Sequence, residues 1–125
     1  MSDVNFLLLD DNYLIRKSLK ALIMTIPEFN VIGDYPEGKD ILSFMKKETV
    51  DVIFMNINEK EMIDFEITTS IKEACPDVKI IGFSFIDDYP SIEKLVNNGV
   101  GGFISKYEIT REVIISEIRR VMRLQ

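Results

Sequence analysis

Phe6-Leu7-Leu8-Leu9-Asp10-Asp11 sets four apolar residues in a row and then two adjacent carboxylates. An apolar run without alternation leaves no side for water, so as a strand it is buried on both faces. The acids mark where that strand surfaces. The same grammar returns along the chain. Val50 to Met55 is a strand, continuously apolar over Val52-Ile53-Phe54-Met55, that closes on Asn56; Val78 to Phe85 carries Ser84 near its end, and the short run Gly102 to Ser105 closes on Lys106. Val31-Ile32 is a fifth, shorter strand, closed by Gly33.

Helical spacing fills the intervals. Ile15, Leu19, Leu22, Ile23 and Ile26 recur with the helical period until Pro27. A helix over 38–47 buries Ile41, Leu42 and Met45. After the polar loop Asn58-Glu59-Lys60-Glu61, the residues Ile63, Ile67, Ile71 and Ala74 share one helical face up to Pro76. Pro90 suits the first turn of a helix carrying Ile92, Leu95 and Val96, which ends at Asn97-Asn98-Gly99. Thr110 caps the last helix, Ile109 staples onto Ile114, and Ile114, Ile118 and Val121 face the core. Five strands alternating with five helices predict an α/β domain with a parallel sheet between helical layers. In such sheets functional groups gather beyond the carboxyl ends of the strands.

The 125 residues suit one domain, 1–125, and 46% hydrophobic with 29% charged residues is an ordinary globular balance. A formal charge of -6 argues against nucleic-acid binding by this domain, because phosphate contacts need clustered Lys and Arg. Arg111, Arg119, Arg120 and Arg123 read as a solvated helix face. The absence of histidine excludes histidine-based catalysis and histidine metal ligands. Cys75 reads as a packed small residue. No apolar run reaches the length of a membrane helix, and Met1-Ser2-Asp3-Val4 does not open like a secretory leader, so the expected compartment is the cytoplasm.

At the strand ends stand Asp10, Asp11, Asn56, Ser84 and Lys106. Adjacent carboxylates suit a hard divalent cation such as Mg²⁺. A hydroxyl can donate to one phosphoryl oxygen, and an ammonium can neutralise another or pair with the acids.

Four pieces in order carry a family resemblance: Leu8-Leu9-Asp10-Asp11, Asp51-Val52-Ile53-Phe54-Met55-Asn56-Ile57, Ile80-Ile81-Gly82-Phe83-Ser84 and Gly101-Gly102-Phe103-Ile104-Ser105-Lys106. The chain resembles a response-regulator receiver domain of two-component phosphorelays over nearly its whole length. The resemblance implies a flavodoxin-like sheet in strand order 2-1-3-4-5. It makes Asp10 and Asp11 the metal-binding acids, with the carbonyl of Asn58 a further Mg²⁺ ligand. It makes Ser84 the hydroxyl that meets the phosphoryl group, Lys106 the site lysine and Phe103 the aromatic switch. It also implies a protein partner, a sensor kinase or downstream regulator, and a homodimer through the face of the fourth and fifth helices.

Asn56 departs from that pattern. It occupies the position of the phosphate-accepting aspartate, where a carboxylate oxygen attacks the phosphodonor. An amide is neutral and a poor nucleophile, and the exchange removes one charged ligand from the Mg²⁺ site. The Met-Pro pair and glycine-containing turn usual after the acceptor are replaced by Glu59 to Asp64, Phe85 stands where a small residue is usual, and Tyr107 replaces the usual proline. These neighbouring departures favour a natural Asn56 over an engineered one. The implied function is a receiver-like signalling domain with aspartyl phosphorylation impaired or absent. One alternative is a phosphorylation-independent pseudo-receiver that binds proteins. Another is a small flavodoxin-like cofactor-binding enzyme, disfavoured because Asp10-Asp11-Asn12 repels phosphate and no Gly-rich loop follows the first strand.

Overall fold

The computed structural model describes residues 3–57, 65–85 and 89–123. Strands β1 (Val4–Leu9), β2 (Phe29–Tyr35), β3 (Val52–Asn56), β4 (Lys79–Ser84) and β5 (Gly102–Ser105) alternate with helices α1 (Tyr13–Ile23), α2 (Gly38–Met45), α3 (Phe65–Ala74), α4 (Tyr89–Asn97) and α5 (Arg111–Arg123). The strands form one sheet in the order β2-β1-β3-β4-β5, and every pairing is parallel. This is the flavodoxin-like doubly wound arrangement expected from the sequence.

The uninterrupted apolar strands account for two separate cores. Successive side chains point to opposite faces of a strand. Phe6, Leu8, Val52, Phe54, Ile81 and Phe83 therefore pack on one side with Leu19 and Ile23 of α1 and Ile114, Ile118 and Val121 of α5. Leu7, Leu9, Ile53, Met55 and Ile80 pack on the other with Ile41, Ile71 and Leu95 of α2, α3 and α4.

Several boundaries differ from the sequence expectation. β2 runs through Gly33 to Tyr35 instead of closing there. Its pairing with β1 passes from Phe6↔Val31 to Leu7↔Gly33, so Ile32 is an extra residue in the ladder. The absence of a side chain at Gly33 fits this position of the strand, where a Cβ would lie 2.9 Å from Leu7 Cδ2. β3 begins at Val52 and extends to Asn56, while Asp51 turns aside to accept the Asn5 amide at 2.8 Å. α1 ends at Ile23, where the Thr25 hydroxyl donates to the Leu22 carbonyl at 2.7 Å; Ile26 remains buried beyond it. α2 stops at Met45 and β4 at Ser84. Ala74 and Val96 are exposed, because their helices turn those positions away from the sheet. Ile63 lies outside the described residues.

Other expectations hold closely. β5 spans Gly102–Ser105 as read. Gly99 takes φ 99 after α4, a left-handed conformation that favours glycine. Thr110 Oγ1 accepts the Val113 amide at 3.1 Å and caps α5. Ile109 and Ile114 lie in the same core.

Candidate functional site at the strand ends

Sheet register brings the predicted residues into a row. Leu9 pairs with Met55, Asn56 with Phe83, and Ser84 with Ser105. Asp10, Asn56, Ser84 and Lys106 therefore stand at the carboxyl edge of neighbouring strands. Each position is set by where its strand leaves the sheet.

Asp10 is buried, 4% exposed. Its Oδ1 accepts the Asn12 amide at 2.9 Å, and among the described residues Oδ2 has no hydrogen-bond partner. Burial pushes the Asp10 carboxyl up, while the Asn12 amide and the Lys106 charge pull it back. Asp11 is exposed. The acid pair does not cap α1: Asn12 does, its Oδ1 accepting the Ile15 amide at 3.0 Å. The acids are thereby left for the strand-end site.

Asn56 is half-buried, and its Oδ1 accepts a hydrogen bond from Lys106 Nζ. Two aromatic rings flank that ammonium, with centroids 5.0 Å away for Phe83 and 5.3 Å for Phe85. Phe85 meets Tyr107 edge-on, with ring centroids 4.9 Å apart. The Lys106 amide donates to the Ser84 carbonyl at 2.8 Å, which fixes the end of β5 against β4. Ser84 is fully buried. Phe103 is half-buried on the α2–α4 side of the sheet, and its amide donates to Glu117 Oε2 at 2.7 Å. Asn58 lies outside the described residues.

A cluster behind the acids escaped the sequence reading. Arg16 is buried and donates from Nη1 to the Asp10 carbonyl and from Nε to Asp34 Oδ1, both at 2.8 Å. Lys17 and Lys20 also reach Asp34, at 2.9 and 3.3 Å. Burial pushes the Asp34 carboxyl up, but the hydrogen bonds from Lys17, Arg16 and Lys20 outweigh it and hold the pKa at about 2. The available signal was the spacing of Arg16, Leu19 and Ile23, which puts a charge on the buried stripe of α1. The carboxy-terminal arginines are not all free-standing either. Arg120 pairs with Glu117 and donates to the Gly101 carbonyl, and Arg111 reaches Thr25.

Among the described residues, no group of three or more His, Cys, Asp or Glu side chains is placed to hold a metal. The feature that suits a cation is the partnerless Asp10 Oδ2 beside Asp11. Among the same residues, no helix is long and apolar enough to cross a membrane.

The parallel five-stranded sheet carries acids, a hydroxyl and a lysine along its carboxyl edge. The family model of the response regulator receiver domain matches residues 6–119, and the chain belongs to that family. It is 28% identical over 118 residues to the transcriptional regulatory protein DegU of Brevibacillus brevis, covering 94% of this chain and 50% of the relative. It is 30% identical over 118 residues to the response regulator UvrY of Escherichia coli, covering 94% of this chain and 54% of that one. The chain thus spans about half the length of these relatives. The fold matches a NarL signal receiver domain from Mycobacterium tuberculosis with a TM-score of 0.85 at 18% identity, over 100% of both chains.

Proposed function

We propose that this domain is a receiver silenced at Asn56, which regulates by binding a protein partner without aspartyl phosphorylation. The observation that carries the reading is the Asn56–Lys106 hydrogen bond. It supports Asn56 as the residue at the acceptor position, because it joins the end of β3 to the site lysine across the sheet edge. The amide oxygen there is neutral and a poor nucleophile, so the attack that an aspartate would make on a phosphodonor fails. Ser84 and Lys106 keep the groups that would otherwise meet phosphoryl oxygens, and Phe103 keeps the aromatic of the switch.

Asp10, Asp11, Asn56 and the Asn58 carbonyl are the groups that would hold Mg²⁺. When bound, the cation supplies positive charge at the acid pair. Loss of the third carboxylate weakens that site, since carboxylates are the main protein ligands for Mg²⁺. The partner is a sensor kinase or a downstream regulator docking on the α4–β5–α5 face, which is also the face for a homodimer. A second reading makes Asn56 a replacement of a native aspartate; the departures at Phe85 and Tyr107 weigh against it.

The test is an amide NMR titration with Mg²⁺ and beryllofluoride, a phosphoryl mimic that bonds to a carboxylate oxygen. With Mg²⁺ already saturating, added beryllofluoride is expected to leave Ser84, Phe103 and Lys106 of the native chain unshifted, whereas it shifts all three in Asn56→Asp. Shifts of those residues in the native chain would contradict the silenced site.

A further inference from the structure

A cavity of about 350 Å³ opens beside the strand-end row, between α1, the end of β4 and the segment leading into α5. Its walls are apolar: Leu19 and Phe83 form the buried floor, while Leu14 and Phe85 stand at the exposed rim, 73% and 44% exposed. Among the described residues, Lys106 is the only charged one lining it. That ammonium has three donors, and the neutral oxygen of Asn56 accepts from it. Among the described residues it makes no ion pair, and its other close company is the two phenyl rings. Among the described residues no carboxylate lies within ion-pair distance of this half-buried ammonium, although it interacts with the charge of Asp10, so it can still take up an anion, and the apolar walls favour a hydrocarbon body.

We infer that this cavity binds a small organic acid, an aliphatic or aromatic carboxylate whose carboxylate pairs with Lys106 and whose apolar body fills the space between Leu19, Leu22 and Phe83. The volume lies at the small end of the range for ligand sites, which suits a compact acid. Phe85, in place of a small residue, supplies part of the rim. The inference goes beyond the proposed function and uses one element of it, the neutral side chain at residue 56. An aspartate there would compete for Lys106.

The whole chain, labelled for amide NMR, is titrated separately with octanoate, 1-octanol and inorganic phosphate. Octanoate is expected to give saturable shifts centred on Leu19, Leu22, Phe85 and Lys106, binding roughly tenfold tighter than octanol, as one charge-assisted hydrogen bond provides. Phosphate alone is expected to leave those amides unmoved. Lys106→Met should reduce octanoate to the affinity of octanol, and Asn56→Asp should weaken octanoate alone. Ser18→Trp, which fills the cavity from α1, should abolish binding of both while its thermal melt reports an intact fold. Equal binding of octanoate and octanol, full affinity in Lys106→Met, or shifts scattered outside the cavity would overturn the inference. So would shifts at these residues that follow protein concentration without ligand, since a second copy would then fill the space. A phosphoryl adduct on the native chain would overturn the silenced acceptor and leave these titrations standing.

Discussion

Replacing Asp10 by asparagine is expected to stabilise the domain at neutral pH. Asp10 is 4% exposed, and only one of its two oxygens has a hydrogen-bond partner among the described residues. A buried polar atom left unsatisfied costs about 1–3 kcal/mol, and more when charged. Lys106 and Arg16 offset part of that cost through their charges. Asparagine keeps the acceptor for the Asn12 amide and the side-chain shape, but it brings its own partnerless N–H groups. The net gain is therefore about 1 kcal/mol, or roughly 4 °C in Tm for a domain of this size. The pH dependence fixes the sign. Burial raises the folded-state pKa of Asp10 above its unfolded value of 3.8. The protonated acid is thus the form the fold prefers, and its contribution is complete below about pH 4 and lost as pH rises through the folded value. The advantage of Asp10→Asn should accordingly be present at neutral pH and vanish near pH 4. Urea unfolding followed by circular dichroism at the two pH values measures it. Excess Mg²⁺ should raise the midpoint of the native chain and leave the variant unmoved. A variant less stable than the native chain at neutral pH, with unchanged m-value, would refute the reasoning, because Oδ2 would then be serving a stabilising contact.

Asp34→Asn leaves Arg16 buried without its anion and is expected to cost about 3 kcal/mol in the same urea assay. Asp34 is held at about 2 against an ordinary 3.8, so its contribution of about 2 kcal/mol is present above roughly pH 4 and is lost as pH falls toward 2. The native chain should lose stability through that window and the variant should lose less. Gly99→Ala forces a Cβ onto φ 99 and should lower stability by about 1 kcal/mol, read from the thermal midpoint.

Most of the fold was legible because both periods were strong. Phe6 to Leu9 and Val52 to Met55 are apolar throughout, and burial on both faces of a parallel sheet is what such runs require. The start of α5 was legible because Thr110 and Ile109 act locally, within one turn. Gly33 misled because glycine punctuates turns as well as bulges, and only contact with Leu7 on the neighbouring strand decides between them. The strand-end row followed from topology. The Arg16–Asp34 pair did not, since it joins residues 18 apart across α1 and β2, beyond the reach of periodicity. The partnerless oxygen of Asp10 and the cavity beside Lys106 depend on side-chain directions that no pattern of residue types encodes.

In the proposed function, Asn56 is the residue that silences phosphoryl transfer. Intact mass spectrometry after incubation with Mg²⁺ and acetyl phosphate tests this directly, with Asn56→Asp measured alongside. The native chain is expected to stay unmodified and the variant to carry a single phosphoryl adduct. An adduct on the native chain, or none on a folded Asn56→Asp variant, would contradict that role of Asn56.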